Sequence, residues 1–434
     1  MAVVRDFQDF GQDAAMAGIV EFPQIVEKAL NEFGDLFANE PQRRHFGEYL
    51  TGLYVADRKT VAGINREFAQ ASDQSCLNRF LTEVDWDAAA LNQRRLDLLQ
   101  QDPATRYSAQ GVIAIDNVLI DREGYLIPDA SVLWDHADQR YKIAQDYLFV
   151  NYVCTSGKHY PMQFRRWCSE DMCECYEKPF VTHTAQCIEL IDGVCSQNIP
   201  GDFTFDCYFT CKEILNHIHG KTGLDGRPRG YVADLKFNRK VVYRGQTLQA
   251  QALAATISPS LRKPVQRGQR QQWYFKATMR IPGVDHKVKV VFLWDEQDAK
   301  EPKKMLVSNR IEWDITRILR VYRHRWTGTE TFHRDGKQEL GLGACQLREP
   351  NGQDRHVYMV MLAYSLLMQR LEQGRAWEWS EQRLTTIGQA CRGVVTETLR
   401  QTLLWAVKHV NEYAWTIERV VAHLKLEAPA TLAG

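Results

Sequence analysis

The chain is expected to fold as an α/β protein with helical regions at both ends. Between residues 111 and 236, short apolar and β-branched runs alternate with segments of helical period. That order describes a sheet covered by helices on both faces. The stretches before Pro103 and after Ser308 carry helical periodicity almost throughout. At 434 residues the chain exceeds one ordinary domain.

The first hundred residues break into amphipathic runs at 22–33, 41–55, 60–69, 73–81 and 87–101, separated by Gly, Pro or Asp. A scaffold is one reading. The other is a DNA-binding module using Arg58, Lys59, Arg66 and Arg79. Strands follow at 111–115, 147–154 and 160–166, the last two joined by the turn Thr155-Ser-Gly-Lys158. A helix is expected over 180–197, a strand over 202–206, a helix near 211–219 and a strand over 231–236. Residues 237–304 show period-two stretches joined by Gly/Pro/Arg-rich connections, which suggests a β-rich insertion; residues 305–308 return as a strand. Helices follow over 311–325, 330–340, 356–372 and 381–426, with Leu404, Trp405, Val407, Val410 and Trp415 on core faces. The domains expected are a helical region (1–105), a core in two parts (106–236 and 305–375) flanking the insertion (237–304), and a helical end (376–434).

Hydrophobic content of 44% and charged content of 25% exclude disorder and collagen-like structure. Formal net charge is zero, with 54 basic and 54 acidic residues, but the charges are segregated. Residues 1–100 hold 10 Lys/Arg against 16 Asp/Glu. Residues 221–280 hold 13 Lys/Arg against Asp225 and Asp234, a local net of +11. Such a block suits a polyanion. The amino terminus has acids where a signal peptide needs positive charge, and no run of eighteen apolar residues occurs. A soluble, cytoplasmic protein is expected. The eleven cysteines are odd in number and scattered. The cluster Cys168, Cys173, Cys175, Cys187 and Cys195 lacks the paired spacing of zinc knuckles, so these read as small buried residues.

Three acids carry the candidate chemistry. Asp116 and Asp206 each end an apolar run, which places them at the mouth of an α/β sheet. Glu330 begins a helix in Trp326-Thr-Gly-Thr-Glu330. Carboxylates from two strands and a helix can bracket a pair of Mg²⁺ or Mn²⁺ ions. The bland readings are turn residues for the two Asp and a capping box between Thr327 and Glu330. Trp273, Tyr274 and Trp313 are either core aromatics or platforms for an unpaired base. Gly220-Lys221-Thr222 echoes a P-loop ending, but Leu215 stands where the first Gly must be.

The segment Tyr322-Arg-His-Arg325-Trp326, then Glu330, then Lys337-Gln-Glu-Leu-Gly-Leu342 resembles the Tyr-Arg-Glu-Lys signature of bacterial DDE insertion-sequence transposases. Val-Ile-Ala-Ile-Asp116 and Phe-Thr-Phe-Asp206-Cys-Tyr208 look like that family's two Asp blocks. The resemblance covers roughly residues 110–345. It implies an RNase H-like catalytic core, a mixed sheet flanked by helices, interrupted by a β-rich insertion. It also implies two divalent metals on Asp116, Asp206 and Glu330, with Tyr322, Arg325 and Lys337 gripping phosphates. Arg262, Lys263, Arg267 and Arg270 of the basic insertion would follow double-stranded DNA, and the protein would act as a homodimer on DNA. Cut-and-paste transposition is the activity expected, with two rivals: a related two-metal nuclease that does not join ends, and an inactive DNA-binding derivative.

One spacing departs from the signature. Four residues separate Arg325 from Glu330 where the family has three. On one ideal helix this splays the two by about 140°. A break or π-bulge at Gly328 would absorb the extra residue, so an irregular backbone is expected between Trp326 and Thr329.

Overall fold

The computed structural model describes residues 18–371 and 384–425. The first seventeen residues, part of the expected carboxy-terminal helical region and the last nine residues lie outside that description. The chain divides into two compact units, Met1–Leu96 with Asp335–Gly434, and Asp97–Arg334.

The first unit is helical. It contains α1 (Gln24–Phe33), α2 (Glu40–Val55), α3 (Val61–Arg66), α4 (Gln74–Thr82) and most of α5 (Ala88–Gln101). Asn39, Thr60 and Asp73 cap the starts of α2, α3 and α4 by accepting backbone N–H groups, as short polar side chains do. Lys59 is half-buried and donates to the Ala56 carbonyl at 2.6 Å.

The second unit is built on one ten-stranded sheet. Its strands are β1 (Val112–Asp121), β2 (Ser131–Asp135), β3 (Arg140–Val153), β4 (His159–Trp167), β5 (Asp202–Phe205) and β6 (Tyr231–Asp234). A separate hairpin, β7 (Lys240–Tyr243) with β8 (Gln246–Gln249), precedes β9 (Lys263–Arg267), β10 (Arg270–Met279), β11 (Val288–Trp294) and β12 (Lys304–Ser308). The order is β2-β3-β1-β5-β6-β12-β11-β10-β9, with β4 also paired to β3. β1 is antiparallel to β3 and parallel to β5, and β5 is parallel to β6. A mixed sheet of this kind, flanked by helices, is consistent with an RNase H-like fold. The strands of residues 263–294 extend this same sheet through β12, which pairs antiparallel with β6. β2 lay outside the sequence reading: its apolar run is only Val132-Leu133-Trp134, and Val132 and Trp134 are exposed.

Between these strands lie α6 (Glu170–Cys175), α7 (His183–Ser196), α8 (Lys212–Gly220) and α9 (Ala250–Ala255), and α10 (Ile315–Arg325) follows β12. Asp314 caps α10 by accepting from Arg317 N at 2.7 Å. Ile315, Ile318, Leu319 and Tyr322 recur at one-turn spacing and pack on Val112, Val153, Val232 and Leu306 of the sheet. Trp313 is buried in that cluster with Arg317 stacked on it, so it is a core residue and not a platform for a base.

The chain then re-enters the helical unit through α11 (Thr331–Glu339), α12 (Pro350–Arg370), α13 (Ile387–Tyr413) and α14 (Ile417–His423). α12 contains the longest apolar run of the sequence and is buried nearly all round, as the central helix of its unit. Among the described residues no helix is long and apolar enough to cross a membrane. Leu404, Val407 and Val410 of α13 are exposed, against the expectation of a core face; the buried face is carried by Ile387, Ala390, Val394, Thr398 and Thr402.

Candidate metal-dependent nuclease site

The register of the parallel strands places the acids. β1 and β5 pair from Val112↔Asp202 to Ile115↔Phe205, so the next residue on each chain is Asp116 and Asp206. Asp116 does not end its strand: β1 runs on to Asp121 against β3. What ends at Ile115 is its ladder with β5, which leaves the carboxyl edge open at that point. β5 pairs with β6 up to Phe205↔Ala233, so Asp234 is next in the same row.

Glu330 arrives from above the sheet. After α10 the chain makes a π-helical turn, Trp326–Glu330, and then resumes α geometry as α11. The irregularity expected from the extra residue is thus present, as a bulge and not a break. Gly328 lies at its centre because the turn presses directly on the sheet. A Cβ there would stand 2.8 Å from Val153 Cγ2 and 2.9 Å from Ala114 Cβ.

The bulge brings Arg325 and Glu330 together. Arg325 donates to Asp116 Oδ2 at 2.7 Å and lies 3.8 Å from Glu330 Oε1. Thr329, whose hydroxyl donates to the Arg325 carbonyl at 2.8 Å, sits 3.3 Å from the same Asp116 oxygen. Burial, then the neighbouring Asp206 charge, raise the Asp116 carboxyl to about 7, although Arg325 opposes the shift. Burial lowers the basicity of Arg325, but Asp116, Tyr322 and Asp206 together outweigh it and the net direction is upward.

Tyr322 has its hydroxyl engaged within the protein. It accepts from Lys304 Nζ at 2.7 Å and donates to Asp234 Oδ2 at 3.2 Å, while Lys304 also pairs with Asp234 at 3.0 Å. Sequence reasoning missed Asp234 and Lys304. The signal was there, since Tyr-Val-Ala-Asp234 is an apolar run ending in Asp, like the other two blocks. Lys337 lies on α11 in the part of that helix that belongs to the other unit. Beside Tyr322 and Arg325 opens a cavity of about 570 Å³, also lined by Lys303, Lys304, Arg323 and Trp326 and by no carboxylate.

The expected DNA-facing arginines divide. Arg262 is a correction: it is buried, donates to the carbonyls of Gln297, Ala299 and Ile257, and stacks on Trp294 at 4.0 Å. Its charge holds a loop together and does not meet a ligand. Lys263 and Arg270 are exposed on the outermost strand pair. Arg267 ends β9, with its side chain outside the described part. Trp273 and Tyr274 are half-buried in β10.

Among the described residues no three His, Cys, Asp or Glu side chains stand close enough to hold a metal as arranged, the cysteine cluster included. At the acids the reason is visible: a guanidinium, itself a cation, occupies the space between Asp116 and Glu330. The donor set nonetheless fits a hard divalent cation, because it is all carboxylate oxygen, and burial first, then the Asp206 charge, hold Asp116 raised even with Arg325 beside it.

Residues 32–179 match the family described as DDE superfamily endonuclease. The match spans about a third of the chain, taking in α2–α5 and the β1–β4 strands with Asp116, and stops before Asp206 and Glu330. It supports a DDE-type nuclease acting on DNA, a class that generally uses divalent metals. No curated protein matches the sequence.

Proposed function

We propose that the protein is a DNA transposase of the DDE type, of the kind found in bacterial insertion sequences, cutting at element ends and joining the freed 3′ ends to target DNA. The observation that carries this reading is the strand register, which sets Asp116 beside Asp206, together with the π-helical turn that delivers Glu330 to the same edge. Asp116, Asp206 and Glu330 would hold Mg²⁺ or Mn²⁺, which would supply activation of the attacking oxygen and charge neutralisation at the leaving one. The chain's own cations do the positioning. Lys303, Lys304 and Arg323 line a cavity contiguous with Arg325, and together they draw the phosphodiester backbone to the acids. Arg325 presents a planar fork suited to a phosphate. Lys263 and Arg270 extend the cationic path along the outer strands.

The test is incubation of the full-length protein and Mg²⁺ with plasmid carrying the flanking ends of its own coding region. Excision and joined products are expected, and Asp116→Ala or Asp206→Ala should abolish both while end binding persists. Cleavage without joined product would reduce the reading to a nuclease. Retained cleavage by both Ala variants would overturn the site.

A further inference from the structure

The backbone ladder between β1 and β5 stops one residue before Asp116 and Asp206. Something else must fix the separation of these acids. On the reverse face of the sheet a series of side chains spans that gap. Asn117, next after Asp116, donates its amide to both oxygens of Asp146 at 3.1 and 3.0 Å. Asp146 on β3 is buried and takes a second bond from His183 Nε2 at 2.9 Å, at the start of α7. The other ring nitrogen, Nδ1, lies 3.2 Å from the Tyr208 hydroxyl. Because the carboxylate claims the protonated Nε2, Nδ1 is the acceptor and Tyr208 the donor. Tyr208 in turn donates its backbone N–H to Asp206 Oδ1 at 2.8 Å.

We propose that Asn117, Asp146, His183 and Tyr208 form a hydrogen-bonded strap that sets the distance between Asp116 and Asp206, with His183 and Tyr208 as its positioning residues. The proposal rests on the endonuclease reading above. Ring contacts back the strap: Trp167 stacks on His183 at 4.4 Å between ring centres, and Phe209 meets the ring of the half-exposed Tyr208 edge-on at 5.0 Å. It lies opposite the bulge. Asp116 shares its face with Phe149, its partner on β3, and Phe149 packs on Phe332 just past the bulge. Asn117 and Asp146 alternate to the other face. The strap therefore touches no reacting group and works by orienting carboxylates, as partners behind a ligand do.

The test uses the full-length protein, calorimetric titration with Mn²⁺ alone, and cleavage kinetics on end-containing DNA. Tyr208→Phe keeps the ring and removes the link. His183→Gln keeps a donor for Asp146 at the place of Nε2, but its amide oxygen does not stand at the place of Nδ1, the acceptor for Tyr208. Each should weaken Mn²⁺ binding by about 10-fold or more and lower kcat with KM unchanged. The double variant should lose no more than either single, because both cut one link. Wild-type Mn²⁺ affinity in both folded single variants overturns the strap. So do additive losses, or slowed cleavage with unaltered metal binding. Asp116→Ala binding Mn²⁺ and cleaving normally would instead overturn the endonuclease reading and leave the strap as a structural tie.

Discussion

Arg325 lies between two carboxylates, 2.7 Å from Asp116 and 3.8 Å from Glu330. Both Arg325 and Asp116 are about nine-tenths buried, so each is the other's main compensation for lost water. Arg325→Gln should therefore destabilise the metal-free protein by about 3 kcal/mol at pH 8, measured by urea unfolding in EDTA. At pH 5 the cost should shrink, because Asp116, held at about 7 even beside Arg325, is protonated there and the wild-type ion pair is already lost. An equal loss at both pH values would show that Arg325 acts through packing alone.

Replacing the acid has the opposite sign. Asp116 is held above the ordinary carboxylate range, at about 7, so the fold disfavours its ionised form. The penalty is absent near pH 4, grows as pH rises towards 7 and is complete above that. Asp116→Asn should stabilise the metal-free protein at pH 8 by about 1 kcal/mol, the gain limited because Arg325 loses a charged partner. The gain should vanish by pH 4. A variant less stable than wild type at pH 8 would show that the ion pair outweighs burial.

The acids were legible because an apolar run ending in Asp marks where a strand leaves a neighbour: Asp206 follows the end of β5, and Asp116 follows the end of the ladder with β5, although β1 itself runs on to Asp121. Asp234 follows it too, yet was passed over for want of a motif around it. The π-turn was legible from a spacing that an unbroken helix could not accommodate. What sequence could not give was the fate of individual charges. Arg262 sits in the most basic segment of the chain, and only the fold shows it turned inward onto three carbonyls. Asn117, Asp146 and His183 are ordinary polar residues until the register of β1 and β3 sets them side by side. Leu404, Val407 and Val410 have the right period for a helix face, but period does not say which face finds a partner.

The division of the basic segment can be measured. Lys263→Ala with Arg270→Ala should flatten the slope of log affinity against log salt by about two units, with stability unchanged. Arg262→Ala should leave that slope alone and destabilise the fold by about 2–4 kcal/mol, since it strips buried carbonyls of their donor. A slope change from Arg262→Ala in a protein of wild-type stability would return that residue to the DNA surface.

Gly328 separates two accounts of the extra residue. If register alone mattered, deleting Gly328 would restore the three-residue spacing between Arg325 and Glu330 and leave the protein active. The contacts argue otherwise. The π-turn sits on β1 and β3 so closely that a Cβ at Gly328 meets Val153 at 2.8 Å and Ala114 at 2.9 Å, inside any real carbon contact. Deletion moves Thr327 or Thr329 towards that position, and either brings a branched side chain. Gly328→Ala should cost about 1–3 kcal/mol by forcing the turn off the sheet, and Gly328→Leu more. The deletion should behave like the larger substitution, with cleavage lost because Glu330 is lifted from Asp116. Combining Gly328→Ala with Val153→Ala removes one of the two clashes and should recover part of the stability. Full activity in the deletion variant would mean that helix register, and not close approach to the sheet, is what positions Glu330.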